Sequence, residues 1–405
     1  MHIQSYLYHL NKTGTHNMKR LDATMWTICI LLAFIAGYFS YRIYAVLPLI
    51  LALGFGVLWF KNKDHFTLKF HWPIIMGVGG LLILSLASLT WTEFFGLSQK
   101  RIIKFLPVLL GSIFPLCILS CNKTLPKKLA RYALGAWSIG IIFILIDTFA
   151  GTPIYGLVHQ VDGPLLPQLN RYAIVLLIGY VFICHHAPRI TWVALLLPMA
   201  AFLWKTESQS VQLTVILLIL LVCCWSFLKN YMSFIFGLGI TITTLGFPFL
   251  AKWMFINRPE EIGGLLAKGA PYSRLEIWNG LSTLIFAQPW LGYGIGVTRS
   301  LELPIEHIYW QDETILHPHN YALQIWLEFG LVGVVAFLTW MWWALLKLKM
   351  FSLPDQKLAY TLILSIFGIN LTAYGLWQGW WLGLMLLIWI SFYIFRPSKF
   401  KLDNE

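Results

Sequence analysis

Apolar runs of about 17 to 22 residues follow one another along most of this chain, and at 1.5 Å of rise per residue each could cross a roughly 30 Å hydrocarbon layer as a helix. A run such as 209-QSVQLTVILLILLVCCWSFL-228 fits lipid better than water. Of the 405 residues, 58% are hydrophobic and 11% charged, which sets aside a water-soluble globular domain. The sequence has no period-2 alternation of the kind that builds a barrel.

The expected fold is therefore an all-α polytopic membrane protein. Its twelve or so spans fall at roughly 24–40, 44–60, 72–91, 103–120, 132–150, 171–184, 189–204, 209–228, 231–251, 330–347, 357–374 and 377–395. This divides the chain into a nine-helix membrane region (1–251), a large external loop (252–318), a three-helix membrane region (319–396) and a tail (397–405). The basic segments 61-KNKDHFTLK-69, 127-KKLAR-131, 347-KLK-349 and the tail from Arg396 fall on one side, so positive-inside bias places both termini in the cytoplasm. The polar first 23 residues, ending in Lys19 and Arg20, read as an uncleaved start. The net charge of +12 is largely this bias and not a nucleic-acid footprint. The six cysteines lie in or beside spans, so neither a disulfide framework nor a cysteine metal site is implied.

The external loop is too long for a connector. Within it, 273-SRLEIWNGLSTLIF-286 aligns Leu275, Trp278, Leu281 and Ile285 as an amphipathic helix suited to the membrane surface, and 289-PWLGYGIG-296 ends that helix in a tight turn. Cations gather on the same external face: Lys100, Arg101, Lys104, Arg171, Lys205 and Arg274. A diphosphate is the partner that such a cluster suits, though external cations also snorkel to headgroups. In 317-HPHNYALQIWLEFGLVG-333, His319 falls near the start of a helix, where the positive dipole end favours the neutral ring that a general base needs. Asn320, Gln324 and Glu328 would form a stripe on that helix.

The spacing His319-Asn320, nine residues, then Gly330-x-x-Gly333 resembles the lipopolysaccharide O-antigen ligase family, within the O-antigen ligase/polymerase superfamily. It is joined by 170-NR-171, by 206-TESQS-210, by Arg274-x-x-x-Trp278 and by Pro289-x-x-Gly292-x-Gly294. The resemblance implies a metal- and cofactor-independent glycosyltransferase of the bacterial inner membrane with its active site facing the periplasm. Its implied partners are a glycan on undecaprenyl diphosphate as donor and lipid A–core as acceptor. It also implies His319 as the catalytic histidine and Arg274 as the loop arginine; where the family has a second arginine, this chain offers Lys205 and Gln209.

A sugar on a diphosphate already has a good leaving group, so one base and several cations suffice for inverting displacement. The expected site is thus His319 with Arg274 as catalytic groups, Arg171, Lys205, Arg101 and Gln209 on the diphosphate, and Asn320, Asn170, Trp278 and Glu328 in support. His317, Asp312 and Glu313 are weaker candidates, Glu207 could neutralise Lys205, and Asp147 needs a partner that the sequence does not identify. The alternatives are an O-antigen polymerase or a protein O-oligosaccharyltransferase using the same donor, and, from another class, a transporter or flippase. A transporter should show repeated halves and mid-span charges, which the sequence lacks.

Overall fold

The computed structural model describes residues 32–61, 72–119, 128–151, 153–159, 166–186, 199–200, 208–257, 270–304 and 315–395. Among these, every regular element is helical. The longer helices are α1 (Ile43–Lys61), α2 (Trp72–Ala87), α3 (Phe95–Leu119), α4 (Lys128–Ala150), α5 (Leu166–His186), α6 (Gln209–Leu228), α7 (Met232–Ile256), α8 (Ala270–Ala287), α9 (Tyr321–Leu348), α10 (Leu353–Asn370) and α11 (Gly379–Phe395).

Among the described residues, helices stand where the apolar runs predict them. Three described stretches are long and apolar enough to cross a bilayer: Trp72–Thr90, Gln209–Ile256 and Tyr321–Leu348. The second contains the turn Lys229–Tyr231, where α6 hands over to α7. Shorter apolar helices lie at Ile43–Gly54, Ser138–Ala150, Asn170–His185 and Gly379–Tyr393. Ile216, Phe227, Phe234, Ile242 and Phe249 are all more than half exposed along α6 and α7. Such a surface is costly in water and neutral against lipid tails, so the chain is a membrane protein. The expected span at 189–204, apart from residues 199–200, and the basic segments 62–69 and 396–405 fall outside the described residues.

The helices pack as α1 with α3 and α11, α4 with α5, α5 and α6 with α10, and α7 with both α8 and α9. Asp147 receives hydrogen bonds from the Tyr38 hydroxyl and from the backbone N–H groups of Ile154 (2.6 Å) and Tyr155 (2.8 Å). This supplies the partner that the sequence could not name; the carboxylate holds the start of the short helix Pro153–His159.

Two expectations need correction. The amphipathic stripe of α8 does not face the membrane surface: Ile277, Trp278, Leu281 and Ile285 are buried in a core shared with α7 and α9, alongside the equally buried Glu276 and Ser282. The stripe marks a helix wedged into the protein. The helix of the expected tenth span also starts ahead of 330: α9 begins at Tyr321 and breaks at Gly330 (φ 58°, ψ −156°).

That break explains the glycine motifs. A helix interrupted inside a protein leaves carbonyls and N–H groups that must find partners. The loop 289–294 supplies them: Tyr293 and Gly294 donate to the Leu327 and Glu328 carbonyls at 2.8 and 2.9 Å, while Leu331 and Val332 donate to the Pro289 and Trp290 carbonyls at 2.8 and 3.2 Å. Only glycine fits where the strands of backbone cross. A Cβ on Gly330 would sit on the Trp290 carbonyl, and one on Gly292 (φ 63°) would lie 2.5 Å from the Leu327 oxygen.

Candidate active site

Asn320 is the N-cap of α9: its side-chain oxygen accepts from the Leu323 N–H at 3.0 Å, and its amide donates to the Leu371 carbonyl at 2.9 Å. One residue therefore satisfies a helix-start donor and ties α9 to the end of α10. Just before it, His319 has left-handed backbone (φ 55°), alone among the described non-glycine residues. Such strain costs about 1–3 kcal/mol and persists only where neighbours enforce it. One neighbour is Trp278 on α8, whose indole N–H donates to the Pro318 carbonyl at 2.9 Å.

The His319 ring is fixed from the other side by the turn 371-LTAYGLWQ-378 between α10 and α11. Its Nδ1 lies 2.6 Å from the Ala373 carbonyl. A carbonyl only accepts, so Nδ1 carries the hydrogen and Nε2 holds the lone pair. Burial lowers the His319 pKa from 6.5 to about 4, with Arg274 adding to the shift and the Ala373 bond opposing it. The shift favours the neutral ring, and its causes are burial and a nearby guanidinium, where the sequence reading invoked the helix dipole.

His317 lies beside it, the ring centroids 4.0 Å apart. Burial, then His319, Arg299, Arg274 and Arg171, lower its pKa to about 2. Its Nδ1 is buried without a hydrogen-bond partner, as is the Asn170 side-chain oxygen next to Arg171. Gly375 backs the His317 ring, since a Cβ there would come within 2.7 Å of its Cβ.

Of the three arginines in the expected site, Arg171 and Arg274 converge on this turn. Arg171 and Arg274 both act electrostatically on His317 and on Tyr374, and Arg274 also acts on His319. Both are half-buried. Neither has a carboxylate partner among the described residues. Arg171 instead lies over the Tyr41 ring, 4.2 Å from its centroid, and burial pulls the Arg274 pKa below its ordinary value. Half-buried cations with no carboxylate partner among the described residues, beside an imidazole whose pKa is lowered and unpartnered polar atoms, form an environment fitted to an anionic ligand next to a proton acceptor.

The other candidates differ in their placement. Arg101 donates to the Trp377 carbonyl at 3.4 Å and has Glu328 and Arg299 as its electrostatic neighbours, so it borders the site behind the glycine loop. Glu328 is completely buried and takes hydrogen bonds from Gln324 (3.0 Å) and the Trp377 indole, which makes it a joint of the helix bundle and not a sugar contact. The same Gln324 accepts from the Leu376 N–H at 2.8 Å. Gln209, Lys100 and Lys104 are exposed, Gln209 in the first turn of α6. Lys205, Glu207, Asp312 and Glu313 lie outside the described residues. Sequence reasoning missed Arg299 and the Ala373–Tyr374–Gly375 turn. Arg299 follows the glycine loop in 297-VTRS-300, where its charge was a readable signal; Ala373 contributes a carbonyl, which no side chain announces.

Residues 173–338 match a family model described as O-Antigen ligase. Proteins named provisionally as polysaccharide ligases are similar: one from Rickettsia conorii is 26% identical over 186 residues, 44% of this chain and 44% of the relative. Another, from Rickettsia typhi, is 30% identical over 153 residues, 36% of this chain and 38% of the relative. The similarity thus spans less than half the length of these relatives. The matched segment contains Arg274, Trp278, His319, Asn320 and the Gly330 break, so most of the residues that carry the resemblance to the O-antigen ligase family lie within the stretch that matches its model.

Proposed function

We propose that this protein is an O-antigen ligase, transferring a glycan from undecaprenyl diphosphate to a hydroxyl of a lipid A–core sugar at the periplasmic face of the inner membrane. The observation that carries this reading is the His319 ring: Nδ1 engaged by the Ala373 carbonyl, Nε2 left basic, and Arg274 beside it. In the proposed step, Nε2 takes the acceptor hydroxyl's proton as that oxygen attacks the anomeric carbon from the face opposite the diphosphate. The new glycosidic bond forms, the sugar–phosphate bond breaks, and configuration inverts. The departing diphosphate keeps the electron pair; Arg274 and Arg171 meet its charge, with Lys205 as a third cation in this assignment.

No metal is needed in this scheme, since the leaving group is already ionised and the cations are side chains. The half-buried state of both arginines favours it, because a fixed charge in a poorly hydrated site stabilises a developing anion more strongly than one in water.

The test is to incubate purified full-length protein with undecaprenyl-diphosphate-linked glycan and, in separate reactions, lipid A–core, a growing glycan chain or a pilin-like peptide. The expected product is glycosylated lipid A–core, formed equally well with a chelator present. His319→Ala should lower turnover about 10²–10⁴-fold in protein that still inserts. Transfer solely to growing glycan or to peptide would replace the acceptor assignment; turnover that a chelator abolishes and a divalent ion restores would end the metal-free scheme.

A further inference from the structure

Arg171 needs a reason to stand where it does. It lies on α5, far in sequence from both His319 and the turn that orients it, and among the described residues no carboxylate holds it. What it touches is an aromatic ring, with its guanidinium carbon 4.2 Å from the Tyr41 centroid. A guanidinium lying on a ring face is held by the ring quadrupole, while its N–H groups, which point outward in its own plane, stay available to oxygens. A carboxylate partner would occupy those same N–H groups.

Tyr41 is itself fixed. Its ring meets Trp380 edge-on at 5.7 Å, and Trp380 meets Tyr374 edge-on at 4.8 Å. Tyr374 follows Ala373, whose carbonyl holds the His319 ring, and Tyr374 lies within electrostatic reach of both Arg171 and Arg274. A continuous run of aromatic contacts therefore joins the surface under Arg171 to the turn that orients the base.

We propose that Tyr41 is a positioning residue, its ring face carrying Arg171 so that the guanidinium edge is presented to the donor's diphosphate. This rests on the assignment of Arg171 to the diphosphate made above. The ring contributes its quadrupole, and the Tyr41 hydroxyl plays no part. A ring that merely filled space would serve equally well with its quadrupole removed, which separates the two roles.

The experiment replaces Tyr41, in full-length protein, by phenylalanine and then by phenylalanines carrying one, two and three ring fluorines, which drain the quadrupole stepwise at nearly constant size. The Michaelis constant for undecaprenyl-diphosphate-linked glycan is measured for each, beside that for lipid A–core. Tyr41→Phe should stay within about twofold of the parent, and the donor constant should climb with fluorination by about tenfold across the series while the acceptor constant holds steady. A flat fluorination series overturns the proposal, as does a Tyr41→Phe protein as impaired as the trifluoro form. Arg171→Ala, run in parallel, locates a failure. If it raises the donor constant while the fluorine series is flat, Tyr41's role alone falls; if it leaves the donor constant unchanged, the diphosphate assignment of Arg171 falls with it.

Discussion

The state of the His319 ring makes a quantitative prediction about pH. Its pKa in the folded protein is lowered to about 4 from 6.5, by burial first and Arg274 second. A lowered pKa means that the neutral, proton-accepting form persists as pH falls. At pH 5 a ring with a pKa of 4 is neutral in about nine molecules of ten, whereas an unperturbed ring would be neutral in about one of thirty. Transfer should therefore hold near its plateau down to about pH 5, where an ordinary histidine base would already have cost about thirtyfold. The assay is kcat/KM for transfer from the lipid-linked donor between pH 4 and 8, in detergent or nanodiscs, with insertion and folding checked at each pH. Because kcat/KM reports free enzyme and kcat reports the loaded one, the two limbs should differ: a bound diphosphate favours the imidazolium, so the acid limb of kcat should lie at higher pH. Replacing Arg274 by Gln removes the second cause and should move the kcat/KM limb upward, still short of 6.5 because burial remains. A kcat/KM limb at or above 6.5 in the parent protein would refute the reasoning, since it would mean that the base is neither buried nor beside a cation.

Two further predictions concern the frame around the ring. Asn320→Ala removes both the cap and the tie to Leu371 and should cost at least the cap's share of about 0.5–2 kcal/mol, read as a lower melting temperature with turnover reduced; Asn320→Ser, which can restore the cap but cannot reach Leu371, should fall between. Gly330→Ala forces a Cβ onto the Trp290 carbonyl at φ 58° and should lose the pairing between 289–294 and 327–332. Unchanged melting and turnover in that variant would mean that the break in α9 is not needed.

The sequence made the helices legible, because spans announce themselves by length and polarity, and it made His319 legible because a titratable ring beside a greasy helix is conspicuous. It made Asn320 visible without its meaning: the structure shows a cap and a tie, where the sequence offered a member of a signature and of a polar stripe. Glu328 could equally have faced a sugar or the bundle, and only its partners Gln324 and Trp377, the latter far away in sequence, decide that. The α8 stripe shows the same limit. Leu275, Trp278, Leu281 and Ile285 fix a helix and its apolar side, but period alone cannot say whether lipid or protein covers that side. Least readable was the turn at 371–378, whose contribution is a backbone carbonyl, a glycine backing and a tyrosine among many tyrosines.

The base proposed here, His319, has to be held in place, and distant segments each fix one degree of freedom. Trp278 on α8 holds the Pro318 carbonyl, Asn320 anchors the chain to α10, and Ala373 sets the ring's tautomer and direction. Together they can sustain a left-handed histidine that no one of them would stabilise alone. The break at Gly330 belongs to the same logic. A membrane-crossing helix takes its tilt from its neighbours in the bilayer, and an uninterrupted α9 would impose that tilt on Tyr321–Phe329 and hence on His319. With the break, the loop 289–294 instead sets the direction of the first nine residues, through four backbone bonds that no lipid can perturb. The glycines thus separate the geometry of the site from the geometry of the span, which accounts for their appearing in the same sequence signature as the histidine.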